Sequence, residues 1–285
     1  MDSTKILKRL DRISDLPTLP AIVMEVNTML RDYDTSIKQL TQTIEKDQTL
    51  VLKILKLVNS AFFGFSSRIG AISRAVVVLG FNTVRNAVVS VTIIEAFSKG
   101  KLKNFDMTRF WTHSIAVAVV SRYLAQESRQ VAPEDCFTAG LVHDIGKIVL
   151  AQYFQDLFKV VWASAKENDL SFYEAEKKEI STTHARIGAH LAGKWKLPPG
   201  MVDVVRYHHA PNKSAKDFDL LVTVHVADII VNGLMGDAKG GVDYSAIHPG
   251  AAKALIPHIK SASKWFPDVK AEIESACAFF IQDGS

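Results

Sequence analysis

Apolar positions recur along almost the whole chain with the spacing of one helix face, and convincing apolar–polar alternation is absent, so the pattern predicts helices and no sheet. Ile22, Val26, Met29 and Leu30 define one face of an early helix behind the proline-bracketed LPTLP segment. Ser36 followed by Gln39 is a capping-box pair ahead of Leu40 and Ile44. Asp47 opens QTLVLKILKLVNSAFFG, whose apolar side is wide enough to predict burial nearly all round. Gly64 and Gly70 mark a loop, AISRAVVVLG predicts a further helix, and Asn82 is the expected N-cap of TVRNAVVSVTIIEAF. The valine-rich runs VVVLG and AVVSV have β-branched character, but the helical period on both sides assigns them to helices.

The stretch Ser98 to Asn104 (SKGKLKN) is the most polar break in the first half and the expected boundary between residues 1–104 and residues 105–285. Beyond it, FWTHSIAVAVVSRYLAQ is strongly apolar, and Pro133 stands where a first helical turn tolerates proline. Ser171 and Glu174 repeat the capping-box pattern before a charged helix. THARIGAHLAGKWKL ends at Pro198-Pro199, GMVDVVRYHH ends at Pro211, and DLLVTVHVADIIVNGL precedes the glycine-rich GDAKGG. No repeat and no low-complexity tract is present.

Composition narrows the class. A chain of 285 residues with 48% hydrophobic and 22% charged residues buries a substantial core. The net charge of +4 (34 basic against 30 acidic residues) is dispersed, with no dense basic block of the kind that marks a nucleic-acid or membrane surface. The amphipathic N-terminus MDSTKILKRLDRI lacks an apolar signal core, and the apolar stretch around Leu220 to Met235 is interrupted by His225, Asp228 and Asn232. The reading is a cytoplasmic protein with neither a nucleic-acid nor a membrane partner. Cys136 and Cys277, far apart in apolar helical sequence, are expected as reduced, buried thiols.

The candidate chemistry centres on His143-Asp144-Ile145-Gly146-Lys147. On a helix, His143 and Asp144 both neighbour Lys147. The imidazole and carboxylate offer adjacent metal ligands, and Lys147 adds a cation suited to a phosphate oxygen. Gly146 lets another helix approach closely. His113 lies in the apolar helix WTHSIAVAVV and Asp228 in HVADIIV, where a carboxylate is costly unless paired or metal-bound. His184 and the pair His208-His209 follow in two further helices; histidine is also at home at a helix C-terminus. His225, three residues before Asp228, is a candidate supporting partner. His190 is expected to point elsewhere, His248 and His258 to lie at the surface, and Trp111, Trp162, Trp195 and Trp265 to anchor the core.

The order His113, His143-Asp144, Asp228 resembles the four-ligand set of the HD phosphohydrolase superfamily, which implies one bound divalent metal. By likeness to the two-metal HD-GYP phosphodiesterases, Asp144 would bridge to a second ion held by His184, His208 and His209. The N-terminal half resembles the HDOD family (HD-related output domains), above all in Leu57-Val58-Asn59-Ser60-Ala61-Phe62-Phe63-Gly64 and in Ile72 to Gly80. That likeness runs from about Leu16 to about Pro211. It implies an all-α bundle of the HD type with an added N-terminal helical subdomain, in a bacterial signalling protein. Many family members have an eroded metal site; here the ligand set is intact. Ala210-Pro211-Asn212 follows His209 in place of a GYP motif, so nothing supports cyclic-di-GMP as substrate, and the chain is too short to hold a receiver, GGDEF or EAL module. The expected function is first that of a signalling protein whose intact site holds one or two Fe, Mn, Ni or Zn ions, and second metal-dependent phosphoester hydrolysis at that site, with Asp144 and Lys147 acting in catalysis. The alternatives are a non-catalytic scaffold for signalling proteins and a di-iron oxygenase.

Overall fold

The structure is a computed structural model and describes residues 3–14, 16–29, 35–60, 68–98, 102, 105–212, 215–236 and 241–282. Among the described residues it is helical throughout, with no strand, as the periodicity predicts. The first half holds α1 (Ser3–Asp11), α2 (Ala21–Met29), α3 (Ile37–Ile44), α4 (Gln48–Val58), α5 (Ile72–Leu79) and α6 (Phe81–Ser98). Leu30, the Ala61–Gly64 end of the family-like motif and most of the Ser98–Asn104 break lie outside the described residues.

Local chemistry explains the helix starts. The Ser36–Gln39 capping box forms in full, and the Asp47 carboxylate accepts the Leu50 N–H at 3.0 Å. Asn82 is not an N-cap. Gly80 takes φ 85°, a left-handed value open to glycine, and turns the chain so sharply that α6 already begins at Phe81. Nor is α4 buried all round: Leu50, Ile54, Leu57 and Val58 face the core, whereas Leu52 is 68% exposed.

The second half comprises α7 (Met107–Ser128), α8 (Pro133–Val142), α9 (Gly146–Tyr153), α10 (Gln155–Glu167), α11 (Phe172–Glu179), α12 (His184–Lys194), α13 (Pro199–Tyr207), α14 (Phe218–Met235), α15 (Ala252–Lys260) and α16 (Ala262–Cys277). α7 is the central post, fully buried from Ser114 to Ser121, with α8, α14, α15 and α16 packed around it. α12 lies against α9 and α13, and α13 leans on α14. By length and composition α14 could cross a membrane, yet it packs inside the bundle against α7, α8 and α13 and keeps His225 and Asp228 buried. Trp111, Trp195 and Trp265 are buried as expected; Trp162 is not, being 45% exposed beneath Lys166. Cys136 is buried and Cys277 half-buried, both as free thiols.

Buried residues of both halves form one contiguous apolar cluster, and α6 packs on α8 across the polar break. That seam carries a polar clasp. The Arg85 guanidinium pairs with the Asp135 carboxylate, to which Asn86 Nδ2 also donates at 2.8 Å. Arg85 is 8% exposed, so removing its partner strands a charge in a dry seam. Asp135→Ala is therefore expected to lower unfolding stability by about 3 kcal/mol, read as a shift in the urea midpoint.

Candidate metal centre

Five elements converge on one point. α7 presents His113 from its second turn, α12 begins at His184, His208 is the C-cap of α13 with His209 next to it, and α14 supplies Asp228. His143 and Asp144 do not sit within a helix, as the sequence alone suggested. They form the tight turn joining α8 to α9, closed by the Ile145 N–H on Val142 O (3.1 Å) and the Lys147 N–H on Asp144 O (2.8 Å). Lys147 lies in the first turn of α9, and its Nζ reaches Asp144 Oδ2 at 2.5 Å.

This turn fits because Gly146 has no side chain. A Cβ there would run into the His184 carbonyl and lie 2.7 Å from the Gly188 nitrogen, so α9 and α12 touch backbone to backbone. The expected close helix approach is thus real, and it sets His184 opposite Asp144.

The carboxylate of Asp144 stands between two sets of donors, His113/His143/Asp228 on one side and His184/His208/His209 on the other; the first set, and the second together with Asp144, could each hold a metal ion. Its Oδ2 faces His143 Nε2 (3.4 Å) and His113 Nε2 (3.6 Å); its Oδ1 faces His184 Nε2 (3.1 Å) and His208 Nε2 (3.5 Å). Asp228 Oδ1 lies 3.2 Å from His113 Nε2 and 3.7 Å from His143 Nε2, and His209 Nε2 lies 3.0 Å from His184 Nε2. All seven predicted ligands and Lys147 therefore meet in one place.

The remaining ring nitrogens explain how the imidazoles are aimed. His143 Nδ1 donates to Gly140 O at 2.6 Å and His208 Nδ1 to Val205 O at 3.0 Å. A carbonyl only accepts, so both Nδ1 atoms carry the proton and both Nε2 atoms turn to the centre. His143 Nε2 and Asp144 Oδ1 are buried and make no hydrogen bond. Orphaned polar atoms of this kind are costly, and a cation in each group, one beside His143 Nε2 and one beside Asp144 Oδ1, would satisfy them, so the residues present fit a metal.

Electrostatics agree. Burial opposes charge on His143, but Asp144 and Asp228 outweigh it and raise its pKa to about 10. Burial would likewise raise Asp144, yet Lys147 and His143 hold it well below the ordinary carboxylate range. Burial pushes His208 down to about 4, and burial likewise holds His209 well below the ordinary imidazole value. The centre thus draws in positive charge while keeping two neutral imidazoles beside it. Below pH 10 the metal-free His143 holds a proton that an ion at Nε2 must displace. Apparent metal affinity is expected to rise about tenfold per pH unit through neutrality for that one proton. Calorimetry in buffers of different ionisation enthalpy would measure the proton release.

Outside the centre, His225 supports a neighbour of Asp228, not Asp228 itself. Its Nδ1 donates to His208 O at 2.6 Å and its Nε2 accepts the His248 N–H at 3.1 Å, which pins the His208 backbone. His190 does point elsewhere, to Asp11 Oδ1 at 2.7 Å. His248 and His258 are half-buried. Residues that the sequence did not single out include Glu176, fully buried against His184, Asn232, which donates to Asp228 Oδ1 at 2.8 Å, and Tyr173, stacked on His209 at 4.4 Å. Glu176 had no signature of its own, being one of three glutamates in eight residues of a charged helix.

An all-helical bundle with a His/Asp cluster between its helices defines a candidate metal-binding protein of the HD type. The HDOD domain family model matches residues 16–211, and the chain belongs to that family. It is 27% identical over 229 residues to an uncharacterised protein of Treponema pallidum, covering 80% of this chain but 44% of that protein; it therefore spans less than half of that relative's length. Among solved structures it is similar to an HDOD domain protein of unknown function from Geobacter sulfurreducens (TM-score 0.77, 23% identity, 94% of this chain and 96% of that one). It is also similar to a candidate phosphohydrolase from Shewanella amazonensis (TM-score 0.71, 24% identity, 95% and 97%). The extent of the family match coincides with the Leu16–Pro211 likeness read from the sequence.

Proposed function

We propose that this HDOD protein is a metal-dependent phosphoester hydrolase acting in bacterial signal transduction, with an ion on each side of Asp144. The observation that carries this reading is the buried Asp144 carboxylate, one oxygen toward each imidazole group. His113, His143, Asp144 and Asp228 would hold one ion; Asp144, His184, His208 and His209 the other. Imidazole and carboxylate donors suit Fe, Mn, Ni or Zn. Bound divalent ions supply Lewis-acid charge for a phosphoryl oxygen and make water a better nucleophile near neutral pH.

The chain's own groups do the rest. Lys147 is fixed by Asp144, which raises the lysine's pKa against the opposing effect of burial, so its ammonium stays charged beside the centre. With a side chain 24% exposed, it is placed to meet a phosphate oxygen arriving from outside. His113, similarly part-exposed, and His209 mark the open side, whereas His143, His184 and His208 close the floor.

Reconstituting the protein with each metal and assaying generic phosphomonoesters and phosphodiesters tests the reading. Metal-dependent turnover that is absent in Asp144→Ala is expected; no turnover with any metal would remove the hydrolase. A second reading, a scaffold for a signalling partner, draws on Ile37, Leu52, Val77 and Val78, apolar side chains exposed on α3, α4 and α5. A specific partner whose capture survives Asp144→Ala would favour it.

A further inference from the structure

His184 differs from the other buried imidazoles of the centre in what stands behind it. His143 and His208 each lean on a carbonyl of their own helix turn. The second nitrogen of His184 instead meets a carboxylate, with Nδ1 2.7 Å from Glu176 Oε2. The other oxygen, Oε1, accepts the His184 backbone N–H at 2.7 Å. Glu176 is fully buried on α11, and both its oxygens are spent on this one residue.

Each contact has a physical reason. His184 is the first residue of α12, so its N–H is one of the donors that a helix leaves unpaired, and a carboxylate there is favoured by the helix dipole. Burying a carboxylate is costly unless its oxygens are satisfied, and here the two oxygens are matched by two donors. The grip on Nδ1–H fixes the tautomer and turns the Nε2 lone pair toward Asp144 Oδ1 at 3.1 Å. It also makes the imidazole a stronger donor by shifting negative charge onto it.

The charge balance across Asp144 then becomes legible. The His113/His143 group has Asp228 beside it as well as Asp144 Oδ2, whereas the carboxylate in direct reach of the His184/His208/His209 group among the described residues is Asp144, through Oδ1. We propose that Glu176 is the positioning residue and charge partner of the second group, relaying its carboxylate through His184 to a divalent cation held there. The inference rests on the two-ion reading above. It assigns a role to a residue that touches neither ion nor substrate.

The test is a Co2+ titration of the full-length metal-free protein, followed by visible absorption and by counting bound ions after equilibrium dialysis. Wild type, Glu176→Gln, Glu176→Asp and His113→Ala are compared. Glu176→Gln is isosteric but uncharged, and circular dichroism of the metal-free form checks that it folds. It is expected to bind one ion with wild-type affinity and the other about 10–100-fold more weakly, with Glu176→Asp recovering part of the loss. His113→Ala is expected to weaken the complementary ion, with a different spectrum lost. Two ions held by Glu176→Gln at wild-type affinity would overturn the proposal, as would loss of the same spectral species in Glu176→Gln and His113→Ala. A wild-type protein that takes up a single ion, lost in His113→Ala and kept in Glu176→Gln, would instead remove the two-ion reading and the role of Glu176 with it.

Discussion

Asp144→Ala is expected to lose both ions together, so that mass-spectrometric metal content falls to background while the wild type stays near stoichiometric. This carboxylate faces the imidazoles of both groups. Oδ2 serves His113 and His143, and Oδ1 serves His184 and His208. Deleting any single imidazole leaves the opposite group with its donors; deleting Asp144 removes one from each. The substitution also strips the partner from Lys147 and half the counter-charge from His143. Breaking a buried pair from one side costs about 3–5 kcal/mol, so the metal-free variant should unfold at lower urea than metal-free wild type. If Asp144→Ala kept one ion at full occupancy, the carboxylate would not be shared and the two groups would be independent sites.

Gly146→Ala should have the largest effect of any single added methyl group. Its Cβ would enter the His184 carbonyl and press on the Gly188 nitrogen, and neither is the loose end of a side chain that can swing away. Overpacking usually costs about 1–3 kcal/mol; with backbone on both sides the upper end applies, and α12 must move bodily. Since α12 starts with His184, the displacement reaches the second metal group at once. A drop in thermal midpoint together with selective loss of the ion beside His184 is the expected result. Gly193→Ala is the control on the same helix: nothing lies within 4 Å of the added carbon, and it should be neutral or slightly stabilising. Equal behaviour of the two variants would show that α9 and α12 are not in backbone contact.

Much of the centre was legible before folding because its residues break local rules. His113 and Asp228 interrupt apolar helix faces, and a buried polar group in such a setting calls for a partner. The capping boxes at Ser36 and Ser171 are equally local and formed as read. Where readings went astray, long-range or conformational information was missing. Asn82 looked like a cap, but the left-handed Gly80 supplies the turn two residues earlier. His143-Asp144 looked helical because residues at i and i+3 also meet in a tight turn, and the Lys147–Asp144 contact does not distinguish the two. Trp162 looked like core because apolar mass alone does not say which face of α10 is covered.

The sequence by itself determined the helical class, the HDOD family and the identity of the residues that could bind metal. Those follow from periodicity, from motif order and from the cost of polar groups in apolar segments, all readable along one dimension. Only the tertiary structure decided that Asp144 turns one oxygen to each imidazole group, that Glu176 stands behind His184, and that His225 holds the backbone of His208. The reason is physical. Each of these is a pairing of atoms from separate helices, fixed by packing such as the α9–α12 contact at Gly146, and helical periodicity within one segment says nothing about which face of another segment it will meet.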